Sequence, residues 1–202
     1  RLKFHLGKNY TLYTEGALSS NDKNRFSSLD DDDNVDVANK TGLIIRDIQL
    51  LDSLSLTLDV SHRYVGSRYT NLDMIYKVEY GREWNFDDLG EQLTENVSEV
   101  VANFKYKENL QLTANAGVRR MGINVLSTKH TYELQSKHKW IQGKNKFTSI
   151  ITRNEETGFR SRWDRNNGNI YKDFKGIRPG VEVWAEQKRD EEGDSLRNGS
   201  FS

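Results

Sequence analysis

From residue 54 to 64 apolar and polar side chains take turns. Leu54, Leu56, Leu58, Val60, His62 and Tyr64 fall on one parity, and Ser55, Thr57, Asp59, Ser61 and Arg63 on the other. Successive side chains of an extended backbone point to opposite faces, so this pattern predicts a strand with one apolar and one wet face. Residues 72–86 repeat it, with Leu72, Met74, Tyr76, Val78, Tyr80, Trp84 and Phe86 on one side, broken by Arg82. A helix would need apolar positions three and four apart, and neither segment has them.

The alternation continues in pairs. Val100, Ala102, Phe104 and Tyr106 precede the polar turn Lys107-Glu108-Asn109, after which Leu110, Leu112, Ala114, Ala116 and Val118 resume the beat. That arrangement predicts a hairpin. Asp52-Ser53 separates residues 41–50 from 54–64, Gln142–Asn145 separates 130–140 from 146–153, and Glu155–Gly158 separates that strand from 159–163. Pro179-Gly180 opens a strand through Val181, Val183 and Ala185, while Leu2, Phe4 and Leu6 precede one over 10–18. Roughly ten to twelve strands result, joined in chain order by short polar turns or long loops. Only residues 87–97, with Asp88 as a cap and Leu89, Leu93 and Val97 as an apolar side, suggest a helical turn or two. The expected fold is therefore all-β: an antiparallel meander of long hairpins, forming a barrel or a barrel segment. A single domain over 1–202 is expected, with a long acidic loop at 19–38.

Composition adds to this picture. Hydrophobic residues make up 35% and charged residues 30%, leaner and more charged than the usual ~45–50% and ~25%. Nine Tyr, eight Phe and four Trp are too many aromatics for a disordered chain. A single Pro suits long, uninterrupted ladders. With 30 basic and 30 acidic side chains there is no cationic excess to neutralise phosphates, so nucleic acid is not expected as a partner. The lack of Cys removes disulfides, thiolate metal sites and a thiol nucleophile. Arg1 in place of a start Met reads as a mature or excised segment.

A meander must close on itself or cover its apolar face. Soluble sandwich strands run to ~5–6 residues, whereas two segments here run to ~13–15, beyond the ~9–11 that cross a bilayer as tilted β-structure. Tyr64, Trp84, Phe86 and Tyr106 stand near the ends of apolar faces, as in an interfacial girdle. The stretch 15–34 (EGALSSNDKNRFSSLDDDDN), with the hairpin style of 100–122, resembles large outer-membrane β-barrel proteins of Bacteroidota-like bacteria. The resemblance implies an outer-membrane location, lipid bilayer or lipopolysaccharide as surroundings, and a larger barrel or partner chain completing this one. It implies no catalytic residue. The same alternation also fits a soluble β-sandwich or lipocalin-like domain, periplasmic or extracellular, that binds carbohydrate or lipid through aromatics. A mean hydropathy of −0.83 fits that alternative, since a lipid belt demands apolar residues.

Few constellations carry chemistry. Asp30, Asp32, Asn34 and Asp36 offer oxygens at alternate positions, like the first half of a calcium loop. Val35 occupies the place of the turn glycine and Thr41 that of the twelfth-position Glu, so a solvated acidic loop is the plainer reading. No other metal or cofactor is expected. The four His are scattered, without zinc spacing. Glu155-Glu156 and Glu191-Glu192 are sequence neighbours whose side chains diverge, unlike a glycosidase pair facing across a cleft. Trp84, Trp140, Trp163 and Trp184, with Tyr69 and Tyr171, form a sugar-stacking platform only if several share one exposed surface. Residues 153–175 mix Arg160, Arg162, Arg165, Lys172 and Lys175 with Phe159, Trp163, Tyr171 and Phe174, a composition suited to anionic headgroups or polysaccharide. With no serine-hydrolase elbow, phosphate loop or dinucleotide fingerprint, the expected function is non-enzymatic: scaffold, pore wall or surface display.

Overall fold

A computed structural model describes residues 1–20, 35–70, 83–85, 93–139, 141–174, 176–192 and 195–198. They form one antiparallel sheet whose strands neighbour each other in chain order. These are β1 (Leu2–Leu6), β2 (Tyr10–Ser20), β3 (Val35–Leu51), β4 (Leu54–Val65), β5 (Glu95–Tyr106) and β6 (Leu110–Met121). There follow β7 (Val125–His138), β8 (Ile141–Asn154), β9 (Arg160–Tyr171), β10 (Gly180–Glu192) and β11 (Ser195–Asn198). The all-β meander expected from the alternation is what the chain adopts. It is not closed: β1 pairs with β2 alone and β11 with β10 alone.

Strand pairing is continuous, and its parity holds from one side of the sheet to the other. Leu6, Tyr10, Ile45, Leu58, Ala102, Ala114, Tyr132 and Phe147 are successive cross-strand partners from β1 to β8. The row beside it runs through Leu12, Leu43, Val60, Val100 and Ala116. Because side chains alternate with period two, a one-residue slip anywhere would send an apolar row to the opposite face. The register departs from this twice on β3, between Gln49 and Leu51 and, nearer the middle, between Ile45 and Ile48. There Asp47 takes a left-handed conformation (φ 53°), which Asp tolerates better than most residues, and the extra residue is absorbed as a bulge.

Connections differ between the two ends. At one end β1/β2, β3/β4 and β5/β6 are joined by residues 7–9, 52–53 and 107–109. Lys107 supplies the left-handed turn position (φ 50°) that no glycine provides. In the β9/β10 connection at this end Arg178 donates to Asp173 at 2.6 Å, and that hydrogen bond and charge hold the guanidinium above its ordinary pKa. The long connections, 21–34 and 66–94, both lie at the other end.

Three expectations shift. β7 ends at His138 and β8 begins at Ile141, so Gln142–Asn145 belongs to β8, paired with β9. Val97, assigned to a helical turn, lies in β5, and Leu93 is irregular; residues 87–92 lie outside the described residues. Most of the strand expected over 72–86 does too, but its described part, 83–85, is a helical turn packed on the sheet. Parity cannot see a segment folded back over the face of a sheet.

Candidate functional site

The two faces of the sheet are not packed alike. Among the described residues, every buried strand side chain belongs to the parity that carries the polar complement. Thr11, Tyr13, Val65, Glu95, Val97, Arg119, Val125, Ser127, Thr148, Ile150, Thr152, Ser161 and Trp163 are all on this polar face. The apolar rows are open: Phe4, Leu12, Val60, Val100, Leu112, Leu134 and Phe147 are exposed. The usual arrangement of a soluble domain, greasy side in and wet side out, is inverted.

The described turn 83–85, between β4 and β5, sits on the polar face. Trp84 is 1% exposed. Its ring lies over Gly117 of β6, where a Cβ would come within 2.9 Å of Cη2; only a residue without a side chain leaves that space. The Lys129 ammonium from β7 lies 4.2 Å from the ring centroid and 3.2 Å from Glu99 Oε1, so it meets both the indole's π-face and a carboxylate. The backbone of the turn is fastened as well. Thr152 donates to the Trp84 carbonyl at 3.0 Å, leaving its own oxygen to accept from Ser127 at 2.8 Å. Asn85 donates to Ser161 at 2.6 Å, and Ser161 donates in turn to Asp190. Strands β6 to β10 thus hold this turn by hydroxyl relays. Thr152 and Ser161 each both accept and donate, which is how buried hydroxyls avoid an uncompensated desolvation cost.

Beside this seat lies an ionic triad. Glu95, 3% exposed, accepts from Arg63 at 2.7 Å and from Arg119 at 2.5 Å. The three residues come from β4, β5 and β6, and the register sets Arg63, Val97 and Arg119 in one row with Glu95 one row on. Elsewhere on the polar face a separate pair joins Lys144 to Glu133 at 2.8 Å. Toward the short-turn end the polar face is open. There Gln49, Asp52, Ser53, Ser55, Lys105 and Lys107 line a hollow of about 270 Å³, and Lys105, Gln111, Gln135 and Lys137 border another of about 150 Å³.

Of the calcium set, Asp30, Asp32 and Asn34 lie outside the described residues. Asp36 is in β3, and its carboxylate accepts from the Val37 amide and from the Arg68 amide, each at 2.7 Å. Those contacts tie the start of the 66–94 connection to the start of β3, where the Gly66 amide also donates to the Val37 carbonyl at 3.0 Å. Among the described residues no three His, Asp or Glu side chains cluster as metal ligands do. His5 and His62 make ordinary strand hydrogen bonds, to Thr11 and Ser98. Glu156 of the carboxylate pair accepts from Asn124 in the adjoining turn.

The aromatic side chains divide by face. Trp84, expected in an outward girdle, is instead buried on the polar side, and Trp163 is covered there by Arg165, 4.3 Å from its ring. Buried rings capped by cations cannot stack on a sugar, so these two offer no platform. Trp184 is exposed on the same parity, at the β10 side, and Trp140 lies outside the described residues. Tyr106 is exposed at the end of the apolar face. Sequence reasoning missed the triad and the Trp84 seat. Parity already set Arg63, Glu95 and Arg119 on one face, but their adjacency needs the register. Comparison with known proteins adds no relative: no family model, no curated protein and no solved structure matches the chain.

Proposed function

We propose that this chain is a membrane-embedded wall, a non-enzymatic segment of a bacterial outer-membrane barrel acting as scaffold, pore wall or surface structure. The observation that carries the reading is the inversion of the sheet: its apolar face is exposed, and the buried strand side chains lie on its polar face. In water a contiguous apolar patch beyond ~300–600 Å² is rarely left uncovered, and rows spanning eight strands form one continuous surface. In a bilayer the same face is solvated by acyl chains, while the polar face looks into an aqueous or plugged lumen.

Three further features support it. Strands of 11 to 17 residues from β2 to β10 exceed the ~9–11 required to cross. Both connections longer than ten residues, 21–34 and 66–94, lie at the same end, alongside short turns at 122–124 and 155–159, an asymmetry found in transmembrane barrels. The turn at 83–85, seated on the polar face, occupies the place of a lumen-filling loop. The sheet's two free edges, β1 and β11, call for strands from a longer chain or a partner, because an open edge in hydrocarbon leaves backbone groups unpaired. The soluble reading would need its apolar rows covered, and the exposed rows weigh against it.

The test is whether folding depends on an amphiphile. Circular dichroism and light scattering should find a monodisperse β-structure in detergent micelles or bilayers and association without them. A chain that stays folded and monomeric in plain buffer refutes the proposal.

A further inference from the structure

Strand lysines keep to one face, which they share with Arg63, Arg119 and Arg165, while the cations of the other face are arginines alone. Every Lys on a described strand side chain has the polar parity, whereas the apolar face carries Arg120, Arg153, Arg160, Arg162 and Arg189, all exposed. The five cluster on β6, β8, β9 and β10, in the two rows beyond the apolar belt toward the long-connection end. Arg153 and Arg160 are direct cross-strand partners, and so are Arg162 and Arg189. Like charges facing each other across a ladder destabilise it. Two acids stand among them: Asp164, which accepts from Arg162 at 2.8 Å and from Ser149 at 2.6 Å, and Glu191. Glu191 faces Arg160 in register without an ion pair, and Arg120, Arg153 and Arg160 have none among the described residues. Two repelling arginine pairs, adjoining an apolar surface, are a geometry that an anion relieves.

We propose that this cluster is a docking surface for a phosphorylated lipid headgroup, one phosphate held by Arg153 and Arg160 and a second by Arg162 and Arg189. The inference rests on the membrane reading above and names what surrounds the wall. Arginine is the suited residue, since its planar fork grips phosphate oxygens two at a time. The occupant is an amphiphile because Leu126 and Ile151 stand in the arginine rows themselves and, past one polar row of His130, Ser149, Asp164 and Gln187, the apolar rows resume at Tyr132 and Phe147 and can take its acyl chains. Strand spacing and rise put the two pairs on the order of 8 Å apart, a span suited to a headgroup bearing two phosphates, as in a lipid A-type glycolipid.

The chain is purified in zwitterionic micelles and titrated with bisphosphorylated lipid A, with its dephosphorylated form and with inorganic phosphate. The expected result is at least tenfold tighter binding of the bisphosphorylated lipid than of either comparator. The Arg153→Gln, Arg160→Gln, Arg162→Gln, Arg189→Gln variant should lose that preference, while Lys144→Gln, Lys146→Gln on the opposite face keeps it. Circular dichroism of the quadruple variant should report an unchanged fold and, without lipid, an equal or higher melting temperature, because repulsion has been removed. Equal binding of all three ligands, or a preference that follows the lysines, overturns the inference while leaving a micelle-dependent fold intact. A chain indifferent to amphiphile altogether sinks this inference and the membrane reading together.

Discussion

Gly117 and Trp84 act as one unit at the residue scale. The indole occupies the volume a side chain at 117 would claim, and Trp84 is the most enclosed of the chain's described tryptophans. Gly117→Val should expel the ring and destabilise by about 1–3 kcal/mol, with a red-shifted, weaker tryptophan emission. Gly16→Ala, which meets nothing within 4 Å, should leave both unfolding and emission unchanged. The triad predicts a larger loss. Glu95→Gln removes the carboxylate that the buried Arg119 and the half-buried Arg63 both reach, and breaking such a buried pair costs about 3–5 kcal/mol. Arg63 is the more exposed of the two, so Arg63→Gln should cost less than Arg119→Gln in the same denaturant titration.

At the scale of the strand, position parity decides what a substitution does. Val100 and Gln111 sit on adjacent strands, but Val100 is exposed among Val60 and Ala116 on the apolar face and Gln111 is on the polar one. In bilayers Val100→Arg should cost about 2–4 kcal/mol if it lies near the midplane, while Gln111→Arg should be tolerated. Folding titrations into vesicles compare the two directly, and equal costs would contradict the assignment of faces. Turns were read with mixed success. The 107–109 and 52–53 turns sit between two clean apolar runs and could be read from them. The β7/β8 turn could not, because the polar run 142–145 imitates a loop. In fact Gly143 and Asn145 pair with β9, and a Cβ at Gly143 would come within 2.3 Å of the Asn169 carbonyl.

For the whole molecule, the asymmetry of the connections predicts sidedness. The chain has no Cys, so Ser53→Cys and Thr157→Cys each introduce a unique thiol at opposite ends of the sheet. In sealed vesicles with one orientation, an impermeant maleimide should label one and spare the other. Labelling of both from the same side would place the two ends in one compartment and contradict a spanning sheet.

Sequence alone determined the extended backbone, the chain-order pairing and the division of residues into two parities, because side-chain alternation is a local property of a strand. It determined neither which parity is enclosed nor what encloses it. Those depend on contacts between residues far apart in the chain: Trp84 on Gly117, Glu95 between Arg63 and Arg119, Arg153 beside Arg160. Register and the return of the 83–85 turn onto the sheet bring these groups together, so only the tertiary structure could reveal that the wet face is the buried one.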